Sequence, residues 1–559
     1  MIHRKQYIVD LVEICKLKKI KHVVISPGSR NAELIRLFAS DGFFNTSSVV
    51  DERSAAFYAL GMARYIQHSV ILVCTSGTAV LNYAPAIAEA YYQHIPLIVI
   101  TADRPAELID IQDNQTIRQE NIYRNYIKES LNIPEQINSC TALHKIHRWI
   151  NHTINSASEN NKGPVHINIR IDEPLYGELP APTKEIPYSN LEVLTQDKLD
   201  IGLKTIWKSG KKKLILCGEH MYNRELNDIL NEIADKKIAT VLAEPISNVR
   251  GKNIISPLDR IMLKTEDSDN DSYIPDVLIS MGGQVVSKRL KSWLRKIKKI
   301  EHWRIAEGDE NIDTYHNLTG TIRGSLTEIL NELKENSENP SEGYSELWQE
   351  AYEITGKKSQ KFFQNIPFSD LSVFKTILEN LPGNCHLHLG NSSVVRYAQL
   401  FNLNKCKQVH SNRGVSGIDG SVSTASGYAS VCKEMNIVIT GDLSFVYDSN
   451  ALWNKKLSSG LRVIVINNQG GGIFRMLSGP SDYNCFEEYQ EAYHPADIQK
   501  LTEAFNLTYY FSNNENNLVQ VFKDFINSGN KAAVLEIKTP KKINPEIYHD
   551  YINYLKRNE

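Results

Sequence analysis

Short runs of β-branched residues alternate with stretches of helical spacing along most of this chain. The first stretch of helical spacing is 7–19, and the first apolar run is 22–25. This alternation predicts an α/β fold built of doubly wound parallel sheets whose strands are joined by crossover helices. Further strands are predicted at 70–74, 97–101, 165–171, 214–217, 239–242, 277–280, 302–306, 386–389, 437–440, 462–466 and 533–537.

Two polar stretches divide the predicted strands into three blocks. The first stretch carries the four prolines at positions 174, 180, 182 and 187, and the second runs from Lys334 to Gly343. With 559 residues, the chain is also too long for one hydrophobic core. Exposed linkers of this composition commonly separate domains, so we expect three αβ domains in series. Their predicted ranges are 1–180, 190–340 and 360–559.

The composition excludes several classes of protein. The 63 Lys and Arg residues nearly balance the 65 Asp and Glu residues, which argues against a dedicated nucleic-acid binder. None of the eight cysteines forms a C-x-x-C pair, which disfavours a zinc or redox motif and fits a reducing cytoplasm. The apolar runs are strand-sized and the first residues lack a signal-peptide pattern, so we expect a cytoplasmic protein without membrane insertion.

Polar residues follow two predicted strands in the third block. Asp442 comes after the strand 437–440, and Asn468 with Gly470 comes after the strand 462–466. Open α/β sheets bind ligands at the carboxyl ends of their strands, so these residues are expected to lie together. Their carboxylate, amide and carbonyl oxygens suit Mg²⁺, and the adjoining glycines allow close approach to a diphosphate. The alternative is a tight turn in which Asp442 caps a helix.

The spacing of Asp442 and Asn468 resembles the thiamine-diphosphate fingerprint of the pyruvate-decarboxylase and acetolactate-synthase superfamily. The fingerprint usually has a small residue at the position of Leu443. Thiamine chemistry also needs a carboxylate beside the aminopyrimidine ring, with a pKa raised by an apolar pocket. Glu52 fits this role where a predicted strand meets an Ala-rich helix, although capping of the helix is the alternative.

Nine motifs occur in order and identify a closer resemblance. They are 26–30, 51–55, 75–80, 96–105, 114–117, 390–392, 412–420, 441–445 and 470–474. The set resembles the 2-succinyl-5-enolpyruvyl-6-hydroxy-3-cyclohexene-1-carboxylate synthase family, the thiamine enzymes of menaquinone biosynthesis, whose members also carry Gly-Asp-Leu-Ser. The resemblance spans the chain but is thin in the middle block, where 287–289 is the main match. Between Ser478 and His494 the chain departs from the pattern, and that segment receives no role.

The resemblance implies a pyrimidine-binding domain, a central Rossmann-like domain and a diphosphate-binding domain. It implies a homodimer or homotetramer that holds thiamine diphosphate and Mg²⁺, which Mn²⁺ can replace, between two chains. The implied reaction decarboxylates 2-oxoglutarate and adds the succinyl semialdehyde unit to isochorismate by conjugate addition. Both substrates are dicarboxylates, and the planar guanidinium fork of arginine suits carboxylates. A net charge of −2 still permits a local positive pocket.

The site residues follow from the same resemblance. Glu52 and Gln115 are the expected catalytic residues. Cofactor contacts are expected from Glu52, Gly77, Ile418, Ser444, Gly471, Ile473 and Phe474, and metal ligands from Asp442, Asn468 and Gly470. Substrate contacts are expected from Arg30, Arg104, Lys288, Arg289, Ser392, Arg396 and Arg413.

Some of these residues are given narrower roles. Ser392 and Arg396 are expected to hold the distal carboxylate of 2-oxoglutarate. Arg30 and Arg104, with the pair at 288–289, are expected to face isochorismate. Ile418 is expected to wedge the cofactor into its bent shape, although simple core packing is the alternative.

Three other interpretations compete with this one. Another carboligase, of the acetolactate-synthase or oxalyl type, would share Glu52, Asp442 and Asn468 without needing the arginines. A catalytically silent relative is disfavoured because all three of those side chains are retained. A Rossmann dehydrogenase is excluded because no G-x-G-x-x-G follows a predicted strand.

Overall fold

Three six-stranded sheets form the framework of the protein, and every pair of neighbouring strands in them is parallel. The computed structural model describes residues 3–159, 161–186, 201–266, 271–308, 311–337, 340–476 and 483–557. Helices connect the strands, so the predicted α/β class with doubly wound parallel sheets is confirmed. Within those ranges, every helix is too short or too polar to cross a membrane.

The first sheet has the strand order β2-β1-β3-β4-β6-β5. Its strands are β1 (His22–Ile25), β2 (Asn45–Ser48), β3 (Val70–Cys74), β4 (Leu97–Asp103), β5 (Ser130–Ile133) and β6 (Val165–Arg170). The helices of this domain are α1 (Gln6–Leu17), α2 (Ala32–Ser40), α3 (Glu52–Ile66), α4 (Thr78–Asn82), α5 (Ala84–Tyr92) and α6 (Cys140–Ser156).

The second sheet has the order β12-β11-β10-β7-β8-β9, the order of dinucleotide-binding Rossmann sheets. Its strands are β7 (Lys213–Cys217), β8 (Thr240–Ala243), β9 (Ile254–Ile255), β10 (Val277–Met281), β11 (Glu301–Ala306) and β12 (Leu318–Arg323). The helices of this part are α7 (Ile201–Ser209), α8 (Arg224–Asp235), α9 (Leu258–Ile261), α10 (Leu263–Glu266), α11 (Lys288–Lys296), α12 (Leu326–Glu335) and α13 (Glu342–Phe362).

The third sheet, ordered β14-β13-β15-β16-β18-β17, repeats the topology of the first. Its strands are β13 (His386–Leu389), β14 (Gln408–Ser411), β15 (Asn436–Gly441), β16 (Leu461–Asn467), β17 (Thr508–Ser512) and β18 (Ala533–Lys538). The helices are α14 (Asp370–Asn380), α15 (Ser393–Ala398), α16 (Ser421–Val431), α17 (Asp442–Tyr447), α18 (Phe486–Tyr489), α19 (Ile498–Ala504), α20 (Glu515–Ile526) and α21 (Ile543–Lys556).

Each sheet carries a hydrophobic core on both of its faces. In β3, Ile71 and Val73 lie in one core of the first domain, whereas Leu72 lies in the other. Successive side chains of a strand point to opposite faces, so a strand covered on both sides must be apolar throughout. This explains why the central strands of all three sheets are unbroken apolar runs in the sequence.

The predicted crossover between β15 and β16 differs from the structure. The sequence left room for a helix of ordinary length, but α17 has only six residues and is followed by a short 3₁₀ helix at Ser449–Leu452. The helix begins at Asp442 itself, so the chain turns away from the sheet directly at the predicted metal ligand. Of the predicted linkers, residues 187, 338 and 339 lie outside the described residues.

Helix α3 of the first domain packs against α16 of the third so closely that two glycines are required. A Cβ atom at Gly61 would overlap the carbonyl oxygen of Thr424, and one at Gly427 would overlap that of Tyr58. Since glycine lacks Cβ, the two helix backbones can approach to this distance. Because α3 begins at Glu52, this contact determines where that carboxylate lies relative to the third domain.

We expect Gly61→Ala to lower the midpoint of thermal unfolding. The added methyl group collides with backbone rather than with a flexible side chain, and overpacking of this kind costs about 1–3 kcal/mol. The control is Gly343→Ala in α13, where an added Cβ has no neighbour within 4 Å. Gly343→Ala should leave the midpoint unchanged or raise it, since alanine favours helices. Equal midpoints for the two variants would contradict the close packing.

Candidate active site

Four residues predicted for the site follow four adjacent strands of the third sheet. The strands β14, β13, β15 and β16 are neighbours in that order. Because the strands are parallel, the residues after them gather at one edge of the sheet. These residues are Arg413 after β14, Ser392 after β13, Asp442 after β15 and Asn468 after β16.

The first sheet repeats this arrangement. Its strands β2, β1, β3 and β4 are adjacent in the same order as their counterparts in the third sheet. The predicted residues after them are Glu52 after β2, Arg30 after β1, Gly77 after β3 and Arg104 after β4. Each outer sheet therefore presents one edge that carries predicted site residues.

Asp442 is buried and connects the ends of β15 and β16. One carboxylate oxygen, Oδ1, accepts a hydrogen bond from the backbone N–H of Leu443 at 2.8 Å. The other, Oδ2, accepts one from the backbone N–H of Gly470 at 2.8 Å. His494 lies on the same oxygen, with Nε2 3.4 Å away, and this contact raises the pKa of the histidine. Asp442 and Gly470 are thus in direct contact, as the sequence predicted.

Asn468 is held in one orientation by a buried carboxylate. Its Nδ2 donates to Oδ2 of Asp370 at 2.9 Å, and Thr539 donates its hydroxyl to the other oxygen of Asp370 at 2.6 Å. Burial raises the pKa of Asp370 to about 6. Within the described ranges the amide oxygen of Asn468 accepts no hydrogen bond. That oxygen is therefore free to bind a cation.

The turn after Asn468 brings main chain close to the site. Gln469 and Gly470 both have positive φ, at 64° and 134°. A Cβ at Gly470 would overlap the carbonyl oxygen of Glu491, to which the N–H of Gly471 donates at 2.5 Å. A Cβ at Gly472 would lie 2.8 Å from Nδ2 of Asn468. Glycine is therefore required at position 470, and the backbone of this turn could closely approach a diphosphate.

These donors fit a hard divalent cation. Asp442 and Asn468 carry side-chain oxygens, and Gly470, whose N–H donates to Asp442, lies two residues after Asn468. Mg²⁺ takes oxygen ligands and usually completes its shell with phosphate and water. All three of these donors are oxygens, and the nearby His494 contacts Asp442 itself.

Glu52 is half-buried at the start of α3. Burial raises the pKa of its carboxyl, and the neighbouring charge of Asp51 adds to this effect. Asp51, not Glu52, caps the helix, since its Oδ1 accepts from the backbone N–H of Ser54 at 3.0 Å. In the described part of the chain, the Glu52 carboxylate bonds to no other side chain. Capping is therefore done by its neighbour, and Glu52 is available for chemistry.

The start of α3 is attached to the carboxyl end of α17. The guanidinium of Arg53 lies 4.4 Å from the ring centroid of Tyr447 and donates to its carbonyl oxygen at 2.5 Å. Asn450 donates to Asp51 at 2.6 Å. Within one chain, α3 thus contacts the end of α17 opposite to Asp442.

Gln115 and Gly77 lie against each other. Gln115 donates through Nε2 to the carbonyl oxygen of Ser76 at 3.1 Å, and the Ser76 hydroxyl donates to the carbonyl oxygen of Gln115 at 3.0 Å. Gly77 has φ of 84°, and a Cβ there would lie 2.9 Å from Cγ of Gln115. The exposed Gln115 is thereby placed at the carboxyl end of β3, the same edge of the sheet at which Glu52 follows β2.

Arg30 and Arg104 form a pair of neighbouring cations. Burial lowers the pKa of Arg30, and the charge of Arg104 contributes. Arg30 donates through Nη1 to the carbonyl oxygen of Ile171 at 2.9 Å and pairs with Glu173 at 3.1 Å. Among the described residues, the buried Nε of each arginine has no hydrogen-bond partner. These two donors are available to an anion.

A second group of cations lies where the second and third domains meet. The charge of Arg396 is the main cause that lowers the pKa of Lys288. Arg413 donates to Oδ1 of Asn391 at 2.7 Å. Burial lowers the pKa of Arg413, and the charge of Arg396 contributes to this effect. Arg289 instead bonds to the hydroxyl of Tyr548 in α21. Ser392 precedes α15, the helix that carries Arg396, with φ of 72°.

The apolar residues predicted for the cofactor lie around the glycine turn. Ile418 is partly exposed, and its carbonyl oxygen accepts from the hydroxyl of Ser444 at 2.7 Å. Ile473 is buried, whereas Phe474 is 36% exposed. Both belong to the 3₁₀ helix Gly472–Met476. An exposed phenylalanine beside a polar turn is available to pack on a ligand.

Sequence reasoning missed four residues that shape this site. They are Asp370, which orients Asn468; His494, which contacts Asp442; Glu491, which holds the glycine turn; and Lys291, near Arg413.

The side chain of Glu491 is fixed by ion pairs with Arg475 and with Lys541, the latter at 2.6 Å. His494 and Glu491 lie in the segment without a motif match, and Asp370 is far from its partners in sequence. Of the four, only Lys291 could have been found from sequence, because it lies two residues after the motif match at 287–289.

Family comparisons agree with this division of the chain. Residues 8–127 match the N-terminal thiamine pyrophosphate binding domain, residues 192–389 the middle domain, and residues 389–537 the C-terminal thiamine pyrophosphate binding domain of thiamine pyrophosphate enzymes. The first match contains Glu52, and the last contains Asp442 and Asn468.

Curated relatives cover nearly the whole chain. A 2-succinyl-5-enolpyruvyl-6-hydroxy-3-cyclohexene-1-carboxylate synthase of Desulfotalea psychrophila is 41% identical over 90% of this chain and 93% of its own length. Synthases of the same name from Flavobacterium psychrophilum and Flavobacterium johnsoniae are 40% and 39% identical over 98% of both chains. The chain therefore belongs to the 2-succinyl-5-enolpyruvyl-6-hydroxy-3-cyclohexene-1-carboxylate synthase family of thiamine-diphosphate-dependent enzymes.

Proposed function

We propose that this enzyme decarboxylates 2-oxoglutarate and adds the resulting succinyl semialdehyde unit to isochorismate. The products are 2-succinyl-5-enolpyruvyl-6-hydroxy-3-cyclohexene-1-carboxylate and CO₂, as a step of menaquinone biosynthesis. The observation that carries this proposal is the shared edge of the third sheet. There, oxygen donors after β15 and β16 adjoin cationic and polar residues after β14 and β13. Such an edge suits a metal-bound diphosphate beside a substrate with an extra carboxylate.

Asp442, Asn468 and the Gly470 carbonyl are the proposed ligands of Mg²⁺. Thiamine diphosphate, when bound, supplies the nucleophilic carbon and the electron sink that decarboxylation of a 2-oxoacid requires. Asp370 acts on the metal indirectly, because its bond to Nδ2 of Asn468 turns the amide oxygen toward the cation. The backbone of 470–472 approaches the diphosphate, and Phe474 and Ile418 cover apolar parts of the cofactor.

Glu52 is the proposed proton donor and acceptor at the aminopyrimidine ring. Its raised pKa favours the protonated carboxyl, which can donate a proton to a ring nitrogen and take it back. No side chain among the described residues bonds to the carboxylate, so it can move to the ring. Gln115, beside Gly77, is the proposed polar contact near the reacting atoms.

The cofactor is proposed to lie between two chains of a homodimer or homotetramer. Within one chain, α3 contacts the end of α17 remote from Asp442, so Glu52 of a partner chain would complete the site. Two apolar side chains of the first domain are exposed: Val50, two residues before Glu52, at 55% and Leu81, in α4, at 48%. A second chain that covers them would bury apolar surface and desolvate Glu52 further.

The cations of the two groups are proposed to be divided between the two substrates. Ser392 and Arg396 hold the distal carboxylate of 2-oxoglutarate, and Arg413 lies beside them. Arg30 and Arg104, with Lys288 and Arg289, face isochorismate. Guanidinium groups bind carboxylates through paired hydrogen bonds, so they fix orientation as well as charge.

The function is tested by an assay with purified enzyme, thiamine diphosphate, Mg²⁺, 2-oxoglutarate and isochorismate. We expect loss of isochorismate absorbance that needs every addition, and a product with the mass of the adduct minus CO₂. Decarboxylation of a different 2-oxoacid, with isochorismate untouched, would leave thiamine chemistry in place and overturn the proposed substrates.

The Arg396→Gln variant tests the proposed contact between Arg396 and the distal carboxylate of 2-oxoglutarate. It should raise the KM for 2-oxoglutarate about tenfold to a hundredfold, the effect of a lost hydrogen bond to a charged group. It should leave 2-oxopentanoate, which lacks the distal carboxylate, unaffected. Arg148→Gln, at an exposed position of α6, is the matched control. Equal losses with both substrates would exclude the assigned contact.

We expect Glu52→Gln to lower kcat by about 10²–10⁴-fold, the usual contribution of a positioned acid or base. The amide keeps the shape of the side chain but cannot exchange the proton. Cofactor affinity, measured by calorimetry, should stay within a few-fold of wild type. Unchanged turnover would contradict the assigned role of Glu52.

Asp370→Ala should raise the Mg²⁺ concentration needed for half-maximal activity about tenfold, since outer residues that orient metal ligands contribute such factors. The KM for 2-oxoglutarate at saturating Mg²⁺ should not change. Asp370→Asn is the matched control, because its amide oxygen can still accept from Asn468 and should restore the Mg²⁺ dependence. An unaltered Mg²⁺ dependence in Asp370→Ala would show that Asn468 needs no such orientation.

A further inference from the structure

A second group of metal-ligating side chains lies at the opposite edge of the third sheet. His386 is the first residue of β13, and it pairs with Asn436, the first residue of β15. Cys432 directly follows α16, and Glu434 lies two residues before β15 begins. These are the amino ends of the strands, whereas Asp442 and Asn468 follow their carboxyl ends. The group is therefore separate from the cofactor site.

The three side chains converge on one point. One ligand atom of each, a ring nitrogen, a sulfur and a carboxylate oxygen, lies within 4.8 Å of the other two. Sγ of Cys432 is 3.1 Å from Oε2 of Glu434. His386 is 1% exposed and Cys432 5%, whereas the Glu434 side chain is 33% exposed. The group thus has a buried interior and one side open to solvent.

His386 is arranged like a metal ligand. Its Nδ1 lies 2.9 Å from the hydroxyl of Tyr428, which can accept the ring N–H. Its Nε2 is buried and has no hydrogen-bond partner among the described residues. Buried polar atoms nearly always have a hydrogen-bond partner or a ligand, so we expect this nitrogen to bind one. In metal sites, the second nitrogen of a histidine is typically held by such a hydrogen bond.

We propose that His386, Cys432 and Glu434 bind a divalent transition-metal ion, with zinc favoured. The ligands would be Nε2, Sγ and a carboxylate oxygen, and water would take the fourth position. Mixed nitrogen, sulfur and oxygen donors suit Zn²⁺, whereas Mg²⁺ takes oxygen ligands. Because thiolate is the ligand, binding releases the thiol proton of Cys432 to solvent.

One cation competes for this site. Nζ of Lys407 forms a close ion pair with Oε1 of Glu434, while Cys432 lies on Oε2. The Lys407 side chain is 46% exposed, so it can turn toward water when a metal ion binds. Tyr65, at the end of α3, lies near Cys432, which is one of the groups that raise the pKa of the tyrosine. The metal would therefore connect the end of α16 to β13 and β15 and stabilise the region where α16 meets α3.

The spacing of the three ligands along the chain explains why the sequence did not predict this site. The usual zinc signature has two cysteines three positions apart, and this chain has none. Here, Cys432 and Glu434 are close in sequence, but His386 comes from another strand. Parallel pairing of β13 with β15 brings it to them.

The test uses the full-length enzyme with saturating thiamine diphosphate and Mg²⁺, treated to remove transition metals and titrated with Co²⁺. We expect a thiolate-to-cobalt charge-transfer band that saturates at about one ion per chain. Zn²⁺ should displace the cobalt, abolish the band and raise the midpoint of thermal unfolding. The Mg²⁺ site lacks thiolate, so it cannot produce this band.

Variants assign the band to the three residues. Cys432→Ser and His386→Gln should abolish it, and Tyr428→Phe should weaken cobalt binding about tenfold to a hundredfold. Lys407→Met should instead tighten binding by about tenfold, because it removes a positive charge beside the ion. Unlike loss of the band, tighter cobalt binding cannot be explained by misfolding of the variant. Cys485→Ser, at an exposed cysteine, is the matched control and should retain the band.

Three outcomes would overturn the proposal. One is the absence of the band in the wild-type enzyme. Another is persistence of the band at equal intensity in Cys432→Ser. The third is its loss in Cys485→Ser, which would place the metal on a surface thiol. Unaltered affinity in Lys407→Met would likewise contradict the position of Glu434 in the site.

Discussion

Parallel strand pairing is the constraint on which the rest of this structure depends. When every strand in a sheet runs in one direction, all carboxyl ends meet at one edge, and residues distant in sequence become neighbours. In the third sheet this brings Ser392, Arg413, Asp442 and Asn468 to one edge. The other edge of the same sheet gathers His386, Cys432 and Glu434. A single topology therefore supplies two separate groups of chemically active side chains.

The second constraint is the contact between α3 and α16. The first and third sheets have the same strand order, and these two helices occupy corresponding places, after β2 and after β14. Glycines at 61 and 427 let the helix backbones touch, which fixes the first sheet against the third within one chain. Glu52 and the pair of Asp442 and Asn468 thus belong to different domains that are held together by close packing of these two helices.

The sequence predicted the central strands of the three sheets better than their edge strands. The strands delimited from sequence are all central, because helices on both faces require apolar residues throughout. The edge strands β5, β9, β12, β14 and β17 were not delimited, and β2, with the polar sequence Asn-Thr-Ser-Ser, was placed only as a strand before Glu52. An edge strand is half-covered, so its composition approaches that of a loop. The assignments of site residues and domain limits remain predictions. Asp370 could not be found from sequence, since its three partners lie 98 to 174 positions away.

The partners of Asp370 have a consequence for how this part of the protein folds. Thr539 donates to its carboxylate, and Asn544 accepts from its backbone N–H. Both residues follow β18, whereas Asp370 begins α14 at the start of the same domain. The orientation of Asn468 therefore depends on contacts between the beginning and the end of the third domain. It forms as part of the cooperative folding of that whole domain rather than as a local property of the turn that carries Asn468.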